Sequence, residues 1–296
     1  AYLIYNPNKI TVKFNGVEDT KLEDMMSVKA TDEGTKMYFP IKDFAAHLGY
    51  KSNDGGYVSN LEDENSCYVE TENEIVIFTL DSSFIYKAEI NSNNSEYETI
   101  DIQNPIIREK DKLYIDVYGL ESAFNMSIPT MNEKSKKLNI TTLDKLVETA
   151  TKIATDNNYE IDTTFVNQKA VLDNMIVVVD SDRKYGVIDG SAVRIIGTNY
   201  DNITYIPQKQ AFLVERNGKV GIYGENTKIE PTYDELKLID SENELYLAKS
   251  NDRYGVIDAS GERKLYLDYE KIGIDISKFT RNGIKSGYIL LDKLIP

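Results

Sequence analysis

The sequence predicts an α+β N-terminal domain, with antiparallel strands around short helices, followed by an all-β C-terminal domain of stacked hairpins. Three observations carry this expectation. First, a strand-then-helix pattern occurs twice before residue 142. Lys36-Met-Tyr-Phe-Pro-Ile, leading to Phe44, Leu48 and Gly49, aligns without gaps on Lys112-Leu-Tyr-Ile-Asp-Val, leading to Leu120, Phe124 and Asn125. Second, an eleven-residue block aligns three times: "IVVVDSDRKYG" (176–186), "AFLVERNGKVG" (211–221) and "LYLAKSNDRYG" (245–255). A fixed period of this size in strand-rich units marks a repeat architecture. Third, 296 residues are many for one core, since single cores stop growing near roughly 250–300 residues.

The first domain is expected over residues 1–142. In "KITVKFNGVE", Ile10, Val12 and Phe14 alternate as in a half-buried strand, and Asn15-Gly16 is a hairpin turn signal. "MYFPIKDFAAHLGY" opens as a strand. Ile41, Phe44, Ala45 and Leu48 then keep the spacing of one helical face, with Gly49 as the helix stop. "NEIVIFTLDSSFIYKAEI" reads as two strands hinged at Asp81-Ser82-Ser83. Residues 143–164 are expected to be a linking helix and connector. Leu143, Leu146, Val147, Ala150 and Ile153 share a helical face, and Asp156-Asn157-Asn158 ends it.

The repeat domain is expected over residues 165–296. Each eleven-residue block gives an apolar strand, a polar turn and a second strand, with Asn217-Gly218 the clearest type I′ turn. The glycines Gly186, Gly221 and Gly255 are 35 and then 34 residues apart. Glycine weakens a strand interior, so its threefold presence predicts that something approaches closely, for which a stacked aromatic from a neighbouring hairpin would suffice. Tyr185 and Tyr254 precede two of these glycines and are expected to pack. Asp189 and Asp258 follow three residues later and are expected to open the next turn by accepting backbone N–H bonds. The middle unit carries Val220 and Gly224 in place of Tyr and Asp. Downstream come Tyr200-Asp201, Tyr233-Asp234 and Tyr269-Glu270. Beside such polar neighbours Tyr200, Tyr233 and Tyr269 are expected to be partly exposed, and they are the candidate ligand-facing residues. "RNGIKSGYILLDKLIP" reads as a closing strand or partial unit.

Two family resemblances rest on these residues. "TKMYFPIKDFAAHLGYKSNDGG", "EIVIFTLDSSFIYK", "DKLYIDVYGLESAFNMS" and "KSKKLNITT" resemble the N-terminal stalk-type domain of copper amine oxidases, over roughly residues 10–142. Asp116 stands where that family prefers Pro, and Asn125 where it prefers Gly. "KYGVID", "RYGVID" and "IEPTYDE" resemble WG (tryptophan-glycine) repeats over about residues 165–275, although the family's Trp is absent from all three units. The first resemblance implies a non-catalytic module of secreted and surface proteins of Gram-positive bacteria.

Charge and chemistry narrow the function. Forty-nine acidic against 34 basic residues give a net charge of −15, which opposes nucleic acid and anionic membrane surfaces as partners. The longest apolar run, Met175 to Val179, is far short of the ~20 residues of a membrane span. The single cysteine, Cys67, has no internal disulfide partner and reads as a small buried strand residue. The single histidine, His47, reads as a solvent-facing or face-edge helix residue, since a metal site needs several converging ligands. "LEDENS" (61–66) and "DSENE" (240–244) read as solvated turns. No catalytic, metal or cofactor-binding residue is singled out, and no cofactor is expected. The resulting expectation is a non-enzymatic, extracellular or cell-surface protein, its signal peptide removed. Its repeats would bind a protein, peptide or cell-wall glycan. A purely structural spacer and a carboxylate-based cell-wall hydrolase are the alternatives.

Overall fold

The computed structural model describes residues 9–31, 34–55, 64–90, 97–225, 227–274 and 289–293. The chain is mostly β and divides into two compact units, Ala1–Lys145 and Leu146–Pro296.

The first unit runs β1 (Thr11–Phe14), β2 (Val17–Glu18), α1 (Thr20–Met25), β3 (Ser27–Thr31), β4 (Gly34–Pro40) and α2 (Ile41–His47). It continues with β5 (Lys51–Asp54), β6 (Ser66–Glu70), β7 (Glu74–Thr79), β8 (Phe84–Glu89) and β9 (Glu98–Asp101). It ends with β10 (Ile107–Glu109), β11 (Lys112–Asp116), α3 (Gly119–Phe124), β12 (Met126–Ser127) and β13 (Lys137–Thr142). Three sheets form, ordered β12-β13-β1-β2, β10-β11-β4-β3 and β5-β6-β7-β8-β9. Asn15 (φ 51°) and Gly16 (φ 86°) make the primed turn that joins β1 to β2.

The second of these sheets accounts for the internal repeat. β4 and β11 pair antiparallel with Phe39 opposite Ile115, Tyr38 opposite Asp116 and Pro40 opposite Tyr114. Phe39 and Ile115 are also equivalent in the sequence alignment. A local twofold therefore passes between them, and β3-β4-α2 and β10-β11-α3 are two copies of one hairpin-plus-helix unit. Each helix buries one face, Ile41, Phe44 and Ala45 on α2 and Leu120, Ala123 and Phe124 on α3. Both stop on a left-handed residue, Gly49 (φ 81°) and Asn125 (φ 53°). Asp116, equivalent to Pro40, is 4% exposed, and its carboxylate accepts the Tyr118 N–H (3.0 Å) just before α3.

The division between the units falls within α4 (Leu143–Asp156). The second unit then runs β14 (Glu160–Ile161), α5 (Phe165–Gln168), β15 (Met175–Val179), β16 (Tyr185–Asp189) and β17 (Arg194–Tyr200). Next come β18 (Asn202–Ile206), β19 (Ala211–Arg216), β20 (Lys219–Tyr223) and β21 (Lys228–Tyr233). Last are β22 (Glu235–Asp240), β23 (Leu245–Ser250), β24 (Arg253–Asp258), β25 (Arg263–Ile274) and β26 (Ile289–Lys293). The strands make three antiparallel meanders in chain order: β14 to β17, β18 to β21, and β22 to β26.

Alternation along the strands stacks these sheets. Val177, Val187, Ile196 and Tyr200 of the first meet Ile203, Tyr205, Phe212 and Val214 of the second. Ile206, Ala211, Ile222 and Ile229 of the second meet Leu236, Tyr246, Ala248 and Ile257 of the third. The other face of the first sheet, Ile176, Val178 and Ile188, is covered by Ala150 and Ala154 of α4. Residues 146–161 are thus no mere connector, as the helical spacing alone suggested: they cap the first sheet and add β14 to its edge. Strand β26 pairs with β25, while all of "RNGIKSG" that precedes it, and the start of "LEDENS", lie outside the described residues.

The change in period from 35 to 34 has a local cause. In the first and third sheets the pairing of the last two core strands slips by one residue between Val187 and Ile188, and between Val256 and Ile257. The second sheet lacks this slip, and its turn after Tyr223 is one residue shorter, so it loses two residues. It regains one as an extra residue, Ile239, between Leu238 and Asp240.

Candidate functional site

The residues that recur in the repeat converge at equivalent places in all three sheets. A Cβ on Gly186 would lie 2.7 Å from the Thr198 side-chain methyl, 2.8 Å from the Ile196 carbonyl oxygen and 3.0 Å from Thr198 N. On Gly221 it would lie 2.2 Å from the Ile229 carbonyl oxygen and 2.7 Å from Pro231 N, and on Gly255 2.6 Å from that of Leu265 and 2.9 Å from Leu267 N. What approaches the glycine is the backbone of the neighbouring strand, not the stacked aromatic expected from the sequence. In each sheet that strand bulges across the glycine, and the register slips there. The residue at the crest of the bulge is Gly197, Glu230 and Tyr266 in turn.

The two tyrosine motifs, separate in sequence, are cross-strand partners. Tyr185 faces Tyr200 and Tyr254 faces Tyr269, while Val220 faces Tyr233. Such pairs stabilise a sheet by about 0.2–1 kcal/mol each. Tyr200 is 5% exposed, with the Arg216 guanidinium over its ring at 5.6 Å. It therefore belongs to the core rather than to the partly exposed set expected. Burial pushes its hydroxyl pKa up. Tyr185, Tyr233, Tyr254 and Tyr269 are half-buried.

The aspartate after each tyrosine fastens one sheet to the next. Asp201 Oδ1 pairs with Lys184 Nζ (2.5 Å), and Oδ2 accepts the backbone N–H of Asn217 (2.7 Å) in the next sheet's hairpin turn. Asp234 repeats this with Lys219 Nζ and the Asn251 N–H (2.8 Å). The lysine, then the turn N–H, hold both carboxyls below their ordinary pKa. In the third unit the position holds Glu270, and the Arg253 guanidinium instead donates to the Asp268 carbonyl (3.5 Å). Asp189 and Asp258 act as expected. Asp189 Oδ1 accepts from the N–H groups of Ser191 (2.8 Å) and Val193 (2.9 Å), and Asp258 Oδ1 from those of Ser260 (2.9 Å) and Glu262 (3.0 Å). Gly224 closes the shorter middle turn with its backbone alone, its N–H donating to the Thr227 carbonyl (2.7 Å).

Among protein-family models none matches the chain, and none of the curated proteins is similar to it. The chemistry of the repeat positions is therefore read from the geometry. Their glycines, paired tyrosines and aspartates serve close strand approach, pairing, turn formation or sheet-to-sheet fastening.

Two further residues carry weight that composition did not reveal. Asn167 of α5 is 4% exposed and grips β18 as a strand would: its Nδ2 donates to the Ile203 carbonyl (2.8 Å), and its Oδ1 accepts the Tyr205 N–H (2.8 Å). Tyr266, at the crest of the third bulge, is 66% exposed. It sits out of phase with Tyr269, on the outward side of the alternation that buries Leu267 against the core. In the first unit, His47 is half-buried and bonded through Nε2 to Asp19 Oδ2 (2.8 Å), while Asp19 Oδ1 accepts the Leu22 N–H at the start of α1 (3.0 Å). Cys67 is 1% exposed, and burial pushes its thiol pKa up to about 12. Among the described residues no group of three or more His, Cys, Asp and Glu side chains is arranged to hold a metal ion. No helix there is long and apolar enough to cross a membrane.

Proposed function

We propose that the chain is a non-enzymatic secreted or cell-surface protein whose repeat unit binds a protein, peptide or cell-wall glycan. The observation that carries this reading is the division of labour in the three sheets. The recurring residues Tyr185, Gly186, Asp189, Gly221, Tyr254, Gly255 and Asp258 are consumed by architecture. The equivalent position in each bulge, by contrast, differs from sheet to sheet: half-buried Gly197, exposed Glu230 and exposed Tyr266. A constant scaffold with variable exposed positions is how repeat proteins make recognition surfaces. Tyr266, with half-buried Tyr269 and Tyr233, supplies rigid amphipathic contact area of the kind binding surfaces use. The resemblance of the two halves to the copper amine oxidase N-terminal domain and to WG repeats supports placing the protein outside the cell.

The test is retention of a discrete ligand by the purified chain, from a glycan array or a cell-surface pull-down. Tyr266→Ala and Tyr233→Ala should each weaken it. No retained ligand from either source would favour a structural spacer. Release of reducing ends from peptidoglycan, lost on substitution of one carboxylate, would make the protein a hydrolase instead. A signal peptide in the precursor would support the extracellular assignment.

A further inference from the structure

The first unit buries a polar cluster that neither repeat requires. Glu74 on β7 is 2% exposed and Lys87 on β8 is 5% exposed. Lys87 Nζ lies 2.9 Å from Glu74 Oε2 and 3.1 Å from Asn125 Oδ1, and it donates to the Ser122 carbonyl at 2.8 Å. Asn125 Nδ2 donates to the same Glu74 Oε2 at 2.6 Å. Amine, carboxamide and carboxylate therefore form a closed triangle, with the carboxylate touching both nitrogens. The position of Asn125 sharpens the point. It ends α3 in the left-handed conformation, as Gly49 ends α2 in the equivalent copy. Glycine meets that backbone requirement at the lowest cost, so the carboxamide is the addition that needs a reason.

We propose that Lys87 and Asn125 become joined by an intramolecular amide bond, formed autocatalytically with Glu74 as the proton relay. Glu74 takes one proton from the Lys87 ammonium, leaving a neutral amine at the carboxamide. Nζ attacks Cγ of Asn125, the Cγ–Nδ2 bond breaks, and a second Nζ proton passes through Glu74 to the departing nitrogen, which leaves as ammonia. The third stays on the new amide. Glu74 ends as a neutral carboxyl, so no net charge is created and no oxidant or cofactor is consumed. Burial favours this direction: the starting ion pair holds two charges with side chains only 6% and 3% exposed, and the product holds none. The close, fixed placement of amine, amide and relay supplies the effective concentration the slow amide exchange needs.

Intact-mass measurement of the purified full chain decides it. The expected mass is about 17 Da below that of the sequence, one ammonia lost per covalent amide formed. Tryptic digestion should then give a branched peptide joining Lys87 to Asn125, with no cleavage after Lys87. Glu74→Gln and Lys87→Arg should each restore the full sequence mass and linear peptides. A wild-type chain at full mass, with Lys87 and Asn125 in separate linear peptides, overturns the proposal. So does a loss of ammonia mapped elsewhere, or a Glu74→Gln chain that crosslinks as completely as wild type. The wild-type digest reads the bond directly, so the result does not depend on any variant folding.

Discussion

Replacing Gly221 by alanine tests the architecture of the repeat at its tightest point. The new Cβ would lie 2.2 Å from the Ile229 carbonyl oxygen, 2.7 Å from Pro231 N and 2.8 Å from the Glu230 carbonyl carbon, all backbone atoms with no rotamer to yield. Restoring an ordinary contact near 3.4 Å requires β21 to move by about 1.2 Å from β20. That movement acts between the flanking pairs Val220–Tyr233 and Ile222–Ile229, and Ile222 and Ile229 both lie in the core between the second and third sheets. Overpacking of this kind destabilises by typically 1–3 kcal/mol, and rigid backbone on the far side puts the expected loss near the top, at about 3 kcal/mol. For a unit of this size each kcal/mol is worth roughly 2–4 °C, so the unit should melt about 6–12 °C lower. Gly197→Ala is the matched control, because its Cβ would find nothing nearer than Asn199 Nδ2 at 4.0 Å. It should stay within about 0.5 kcal/mol of wild type. Urea and thermal unfolding followed by circular dichroism measure both. If Gly221→Ala unfolds with its control, the bulge is not a close approach and the reasoning fails.

Other expectations follow from single groups. Asp234→Asn should lower the melting temperature at pH 7. Because the folded pKa of Asp234 lies below the unfolded value near about 4, its contribution is complete above that value and is lost as pH falls through the folded one. The gap between variant and wild type should therefore close as pH drops below about 4, and a gap constant from pH 7 to 2 would contradict the fastening role. Asn167→Ala strands a buried carbonyl and a buried N–H of β18, which should destabilise by about 2–4 kcal/mol in urea titration. Cys67, with its pKa near about 12, should resist a thiol reagent at pH 8 in the native protein and react in denaturant; fast stoichiometric labelling of the native chain would show the site to be open. Asp19→Ala removes both the cap of α1 and the partner of His47, an expected loss of about 1 kcal/mol.

What the sequence made legible was local. Asn15-Gly16 and Asn217-Gly218 announce their turns because the left-handed backbone of each is written in two adjacent residues. The glycines at 186, 221 and 255 could be aligned because each sits at a fixed place in a short contiguous block. What approached them could not be read, since it depends on a bulge in another strand ten or so residues away. The Tyr-Gly and Tyr-Asp motifs looked like two features, one to pack and one to face a ligand. They are opposite ends of one cross-strand pair, which is why the polar neighbour of Tyr200 misled: Asp201 points to Lys184 and Asn217 while Tyr200 points to the core. The face of α4 was visible as a helical stripe, but an apolar stripe does not name what it covers. Asn167 gave no signal, because its two bonds go to a strand 36 and 38 residues further along the chain. The Glu74–Lys87–Asn125 cluster gave none either, because its members are 38 and 51 residues apart where they meet.

Asp201 and Asp234 fasten one sheet to the next, and the order of the repeat array rests on that fastening. Native-state hydrogen exchange at the backbone N–H groups of Asn217 and Asn251 tests it most directly. Both lie in exposed two-residue hairpin turns, where an amide bonded only to water exchanges quickly, yet each is expected to donate to the aspartate that ends the preceding sheet. Protection of both amides, lost at Asn251 in Asp234→Asn, is the expected result. Exchange at the rate of an open turn in the wild-type protein would contradict the account.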